Sequence, residues 1–327
     1  MRKPFRILSG LAKFAVGCAL VWFSLMFCLD TEDWNTLSRI AWGDLLKILL
    51  AAQLVYALSG IEFAIIVYFN SRVRLSLVDI FFLPITMNLW SFLIPFQGAL
   101  VYSSLILKCK YKTRLSEAVA TSIFSYFLSI VITGVFGVCF SALVGSWLSP
   151  WMVASTLLAL FPFMLFGVEK IVAWMPTIRI RILKSALSFV HEIVVRIRAL
   201  FSMPRLLGLL FLTNISHIAA SFLMNYYAAV ALNVIVSWQI LLVFTLLIRL
   251  SVILKVTPGN VGVQEILSGG IFSLMMLDPA AGILITLLTR LVTVSQMCTV
   301  GVVDTISNTK YFSLRSVFSY RNALSRS

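Results

Sequence analysis

Five charged residues stand inside long apolar stretches: Glu62, Arg249, Lys255, Glu265 and Arg290. A charge at membrane depth costs at least about 2.5 kcal/mol, so such a residue is paired, wetted or functional. Snorkelling to an interface is the simplest alternative for Arg249 and Lys255. The chemistry on offer is anion recognition, because arginine presents a planar fork to phosphate and lysine a point charge. The densest window is Lys255-Val-Thr-Pro-Gly-Asn-Val-Gly-Val-Gln-Glu265. Pro258 has no backbone N–H to donate, and Gly259 and Gly262 permit conformations closed to other residues. The window predicts a helix break, with unpaired backbone tolerated only beside protein or a wet cavity. A new helix is expected near Val263, its positive end facing the break. Asn260 lies in the break. Glu265 suits that first turn as a helix-start charge, and it is also placed to form an ion pair with Arg290. Gln97, Asn214, His217 and Asn225 are further polar candidates for a cavity wall, with interhelical hydrogen bonding as the plainer role.

The elements that must hold these residues follow from composition. Of 327 residues, 61% are hydrophobic and 12% charged. Soluble domains have about 45–50% apolar and 25% charged residues. A soluble enzyme, a nucleic-acid-binding domain and a disordered tail are excluded. Apolar runs long enough to span a bilayer lie near 5–29, 45–69, 117–146, 151–174, 206–232 and 281–303. Two more, 80–107 and 238–277, are interrupted by Pro and Gly. The five cysteines lack paired spacing and the two histidines are isolated, so neither a disulfide framework nor a metal site is expected.

The formal charge of +14 is mostly an orientation signal. Basic residues cluster at 2–13, 72–74, 108–114, 170–205 and 310–326, whereas 30–44 carries Asp30, Glu32, Asp33 and Asp44. The positive-inside rule then puts both termini and the basic loops in the cytoplasm. With those ends fixed, 80–107 enters and returns on one face and 238–277 on the other. The expected fold is an all-α polytopic membrane protein with about six spanning helices plus two re-entrant hairpins or broken helices in an inverted repeat, a transporter signature. Full crossing by 238–256 is the alternative for the second hairpin. The expected organisation is a signal-anchor helix with an acidic outer loop (1–44), a first repeat (45–146), a spanning helix with an amphipathic helix (147–205), a second repeat (206–306) and a basic cytoplasmic tail (307–327). The anchor is expected to be retained, since no small-residue cleavage site follows it. Within 178–200, Leu183, Leu187, Val190, Val194, Ile197 and Leu200 form one stripe, which predicts a helix lying on the cytoplasmic leaflet.

The run TPGNVGVQE, an apolar helix and then LLTRLVTV resemble the second-half pattern of the lysylphosphatidylglycerol-synthase transmembrane-domain family, also called flippase-like proteins. That pattern is Pro-Gly-Gly-x-Gly-x-x-Glu with an Arg on the next helix. Pro258, Gly259, Gly262, Glu265 and Arg290 match it, and Asn260 replaces the second Gly. The first-half pattern is met at Pro95 and Gly98 and in the basic loop 108–117. Ala99 stands where the family usually has Glu, and Ser125-Tyr126 where a Glu-Arg pair is common. The resemblance covers roughly 40–310. It implies lipid handling by a stand-alone membrane member without the soluble synthase domain, and no enzymatic activity.

The expected function is an integral-membrane lipid translocase for an anionic phospholipid or a polyprenyl-phosphate-linked lipid. Its substrate-binding residues would be Arg249, Lys255, Pro258, Gly259, Asn260, Gly262, Glu265, Arg290 and Gln97. The alternatives are a membrane glycosyltransferase using a lipid-phosphate sugar donor, with Asp30 and Asp33 as acids, and a non-catalytic subunit of a lipid or polysaccharide assembly complex. No cofactor or metal is expected. The partners would be a membrane lipid and a lipid- or glycan-synthesis enzyme, without nucleic acid, in a bacterial inner membrane.

Overall fold

A computed structural model describes residues 40–93, 98–144, 181–251 and 260–308. The expected spans 5–29 and 151–174, the acidic loop at 30–33 and the tail from 309 lie outside them. Every regular element among the described residues is a helix: α1 Trp42–Ser71, α2 Leu77–Leu93, α3 Gly98–Cys109, α4 Leu115–Val144, α5 Arg181–Phe201, α6 Pro204–Ala231, α7 Trp238–Leu250, α8 Val263–Leu274 and α9 Pro279–Gln296, which continues through a π-helical turn (Met297–Gly301) into α10 Val302–Asn308.

Among the described residues, four helices are long and apolar enough to cross a membrane: α1, α4, α6 and the α9–α10 rod. They coincide with four of the expected spans. Helices of 28–30 residues measure about 42–45 Å at 1.5 Å per residue, against a hydrocarbon core of about 30 Å. The 12 and 13 residues of α3, α8 and α7 reach only about 18–20 Å and cannot cross. Both interrupted stretches contain partial helices, and α7 itself, which ends at Leu250, is too short to cross.

Packing shows where each pair enters. At one end of the bundle Tyr111 and Lys110 hydrogen-bond to Asp79, joining the end of the α2–α3 pair to its start. At the other end Leu232, Leu241, Ala280 and Leu277 share a core with Ile48 from the start of α1, so both feet of the α7–α8 pair stand there. The two hairpins thus reach inward from opposite ends. α1 and α6 form the most extensive contact and run antiparallel. Ile66 near the end of α1 packs with Leu206 and Leu210 at the start of α6, while Ile48 packs with Ala228 and Ala229. The remaining principal contacts are preserved when α1–α4 are exchanged with α6–α9. The α4·α7 contact has its mate in the π turn on α2, and α4·α6 in α9·α1.

Glycines set the closest approaches. A Cβ on Gly60 of α1 would lie 1.7 Å from the Ile80 carbonyl oxygen on α2, and one on Gly282 of α9 would lie 2.6 Å from that of Ser268 on α8. Lipid tails are as apolar as leucine, so helices in membranes gain little from apolar contact and rely on such close approach.

Helix α5 departs from expectation. Among its described side chains Ile193, Val194, Ile197 and Leu200 are buried, and Ile193, Ile197 and Leu200 pack in one cluster with Phe124 and Leu128 of α4, Ile66 of α1 and Leu206 of α6, while Val190 is exposed. The apolar face over this half is held by protein rather than by lipid. Arg196 ties it down by pairing with Glu117, as well as with Glu192 one turn back.

Candidate functional site

A cavity of about 370 Å³ lies among the helices, within the usual size of ligand sites of about 300–1,000 Å³. Its wall takes residues from the centre of every long helix: Tyr56 and Ser59 of α1, Ser129 and Thr133 of α4, His217 and Ser221 of α6, and Thr289, Arg290 and Thr293 of α9. It also takes Asn88 from the first hairpin and Arg249 and Gln264 from the second. If the long helices span the bilayer, the cavity sits near its midplane.

The two arginines have different surroundings. Arg290 pairs with Glu265, which is fully buried, and its second guanidinium nitrogen donates to Gln264 Oε1 and to the Asn260 carbonyl (3.3 Å). Glu265 Oε2 also accepts the Gly262 backbone N–H at 2.7 Å, as a helix-start carboxylate should. Asn260 Nδ2 donates to the Ser251 carbonyl at 3.0 Å, and Gln264 Nε2 to Ser251 Oγ at 3.1 Å. Backbone φ is +57° at Asn260 and +84° at Gly262, where asparagine and glycine are the residues that adopt such values readily. Together these contacts bind both sides of the α7–α8 break to α9.

Arg249 has no carboxylate within ion-pair distance among the described residues. Its guanidinium donates to His217 Nδ1 (2.6 Å), Ser129 Oγ (3.1 Å), Thr133 Oγ1 (3.4 Å) and Ser221 Oγ (3.4 Å). An arginine can only donate, so Nδ1 must carry a lone pair, and His217 is neutral with its proton on Nε2. That nitrogen lies 3.1 Å from Ser59 Oγ, whose own proton goes to the Val55 carbonyl. Helices α4 and α6 therefore hold Arg249 through hydrogen bonds that their neutral groups accept, while Glu62 of α1 acts on it electrostatically from beyond ion-pair distance.

Glu62 is buried on α1 and accepts from Ser125 Oγ at 3.0 Å. Ser125 departs from the motif resembled in the sequence, yet it stands on the acid that this half of the chain does possess. His217 and Asn225 reach the cavity, whereas Asn214 is fully buried outside its wall. Lys255, Pro258, Gly259 and Gln97 lie outside the described residues. Among the candidate site residues, Arg249 and Arg290 line the cavity, while Asn260, Gly262 and Glu265 support it from behind.

The sequence reading missed Tyr56, Asn88, Tyr126 and the threonines of α9. Thr286, Thr289 and Thr293 recur at helical spacing around Arg290, a legible sign of a polar face on an otherwise apolar helix. It also missed Asp304, which is buried and accepts from Thr86 Oγ1 (2.7 Å), Asn308 Nδ2 (2.9 Å) and Tyr102 OH (3.1 Å), fastening the first hairpin to α10.

Long apolar helices around an arginine-bearing cavity, with partial helices entering from both ends, define a multi-pass all-α membrane protein with an internal cavity. The chain belongs to the family described as the lysylphosphatidylglycerol synthase TM region, which it matches over residues 10–301. No curated protein and no solved structure matches it. Family membership supports a membrane, lipid-related function.

Proposed function

We propose that the protein moves an anionic lipid, a phospholipid or a polyprenyl-phosphate-linked one, between the leaflets of a bacterial inner membrane, with the phosphate held by Arg249 in the central cavity. One observation carries this reading: Arg249 reaches the cavity at mid-membrane with only neutral hydrogen-bond partners, Glu62 acting on it at longer range, so a phosphate entering there would meet a guanidinium free of a direct ion pair among the described residues. The hairpins supply the second part of the reading. As halves of an inverted repeat, 45–146 and 206–306, they would rock against each other and open the cavity to either leaflet in turn. Lys255, Pro258 and Gly259 would extend the site along the break, and Gln97 would face it from the other hairpin. Arg290 and Glu265 would keep the break in shape.

The test is reconstitution into liposomes with fluorescent phosphatidylglycerol, leaflet exchange being scored by chemical quenching of the outer label. Exchange by the wild type and its loss in Arg249→Ala, with normal yield of the variant, are the expected results. Absence of exchange with phosphatidylglycerol and with a polyprenyl phosphate would overturn the reading in favour of a non-catalytic subunit.

A further inference from the structure

We propose that Glu62 binds a proton whenever Arg249 binds an anion, so that one proton crosses with each singly charged lipid. The proposal rests on the translocation reading above and adds its driving ion.

The first observation is the state of the acid. Glu62 is 4% exposed, within a helix long enough to span the membrane. Every other acid among the described residues has an answer to its charge. Asp44, Asp79, Glu117, Glu192 and Glu265 sit in ion pairs. Asp278 caps α9, and Asp304 accepts from three side chains. Glu62 has no cation within ion-pair distance among the described residues. Ser125 Oγ donates to one of its oxygens at 3.0 Å, and Asn214 of α6 stands beside it. An ionised carboxylate can only accept, and one left with so few donors at membrane depth is costly. The protonated acid needs an acceptor instead. Asn214 Oδ1 is buried, and among the described residues no donor reaches it. The site thus suits both forms: Ser125 donates to the carboxylate, and Asn214 is there to accept from the acid.

The second observation is position. Glu62 lies one turn from Ser59 on α1, and Ser125 one turn from Ser129 on α4. Ser59 and Ser129 line the cavity, Ser59 touching His217 and Ser129 accepting from Arg249. Glu62 is therefore one helical turn behind the proposed anion site. The elements packed on α1 bring His217 from α6, Glu117 from α4, Arg196 from α5, Asp79 from α2 and Arg290 from α9. His217 is neutral because its Nδ1 accepts from Arg249, and the other four are in ion pairs. Tyr56 and Tyr126 are neutral phenols. Arg249 of α7 remains, and it acts on Glu62 from beyond ion-pair distance.

The coupling is electrostatic. Without an anion, the guanidinium of Arg249 favours a carboxylate at Glu62, and the two charges cancel. An anion seated on Arg249 neutralises the guanidinium and repels the carboxylate, so Glu62 takes a proton from water. Guanidinium, anion and neutral acid again sum to zero. Both the loaded and the unloaded core then reorient without moving net charge, and lipid follows the proton toward the alkaline side. By reciprocity, a proton on Glu62 tightens binding of the anion.

Two measurements test this. In proteoliposomes containing fluorescent phosphatidylglycerol, a pH gradient should enrich the label in the leaflet facing the alkaline side, faster than in protein-free vesicles. A valinomycin–potassium potential without a pH gradient should not. In detergent, binding of dihexanoyl phosphatidylglycerol should take up about one proton per lipid, read with a pH-indicator dye in weak buffer. Acidification should tighten that binding by up to about tenfold per pH unit. Glutamine offers the hydrogen bonds of the protonated acid. In Glu62→Gln the protons taken up per lipid bound should fall to about zero and the gradient should lose its effect. Glu62→Asp, which keeps an acid, should retain both responses. The wild-type arms decide the coupling even where a variant fails to fold. Lipid exchange with neither gradient response nor proton uptake would overturn the coupling and leave the translocase reading standing, as would enrichment driven by the potential. Proton uptake that persists in Glu62→Gln would place the proton elsewhere and overturn the assignment. Neither exchange nor binding of lipid would overturn both readings.

Discussion

Arg249 and Arg290 share a residue type, a cavity and a membrane depth, yet substitution should separate them. Removing Arg290 strands the carboxylate of Glu265, which is buried completely. Breaking a buried pair from one side costs about 3–5 kcal/mol, whereas replacing both partners with apolar groups is often neutral. Arg290→Ala and Glu265→Leu should each lower the thermal unfolding temperature and folded yield in detergent, and the pair Arg290→Met with Glu265→Leu should recover most of that loss. Arg249→Ala strands neutral hydroxyls and an imidazole and removes only a longer-range partner of Glu62, so its unfolding temperature should fall less than that of Arg290→Ala while leaflet exchange is lost. His217→Gln keeps an acceptor for the guanidinium and should retain exchange, while His217→Leu should weaken it; the exchange assay reads both. The sequence contained half of this contrast. Spacing around the Pro-Gly break brought Glu265 and Arg290 together because a helix start wants a carboxylate and the next helix supplies one cation. Nothing local distinguished Arg249, because its property is the lack of a direct ion pair among the described residues, with Glu62 acting only at longer range, which only the fold can confer. Ser125 was opaque for the same reason: its meaning depends on Glu62, 63 positions away.

At the scale of elements, prolines and glycines made the breaks legible, and the short helices end close to where those residues appear. The closest approaches between elements were not legible, since a glycine in an apolar helix does not announce which neighbour it faces. Gly60→Ala places a methyl against the Ile80 carbonyl at a distance no pair of atoms tolerates, so α1 and α2 must separate. Overpacking of this kind costs about 1–3 kcal/mol, and Gly60→Ala should unfold at lower temperature. Gly43→Ala, where a methyl meets nothing within 4 Å, serves as its control. Helix α5 shows the opposite failure. Its amphipathic period was plain, but period alone cannot say whether lipid or protein covers the apolar face. Here Glu192 accepts from Ser116 on α4 at 2.7 Å and from Arg196, and these bonds hold its carboxyl below the usual carboxylate range. A depressed carboxylate stabilises the folded form above its unfolded value of about 4.3, and that contribution is lost as pH falls through the folded value. Amide-exchange protection in α5 should therefore be flat from neutral to mildly acidic pH and fall only in stronger acid, and Glu192→Gln should blunt that fall.

For the whole molecule the question is which end faces the cytoplasm, and here the fold strengthens an argument that composition began. The +14 balance gave clusters along the chain; the structure gathers the described ones in space. Arg72, Arg74, Lys110, Lys112, Arg114 and Arg205 occupy the turns at one end, next to the feet of the first hairpin. The opposite end holds the start of α1, the 232–237 turn and the 275–278 turn, with Asp44 and Asp278 and, among the described residues, only Lys47, itself paired with Asp44, as a cation. Arginine and lysine in short loops are retained on the cytoplasmic side, so one end carries the full orienting signal and the other almost none. The basic end should face the cytoplasm. Among the described residues Cys109 and Cys298 are free thiols, so the test begins from a cysteine-less background that still exchanges lipid. Ile235 is 98% exposed in the 232–237 turn, and Lys112 is exposed in the 110–114 turn. In intact spheroplasts a membrane-impermeant maleimide should modify Ile235→Cys and spare Lys112→Cys, and permeabilisation should make both reactive. The reverse pattern would invert the topology and with it the leaflet from which each hairpin enters. Labelling of both sites before permeabilisation would mean that the turns do not lie on opposite faces, and the inverted-repeat reading would fall with that result.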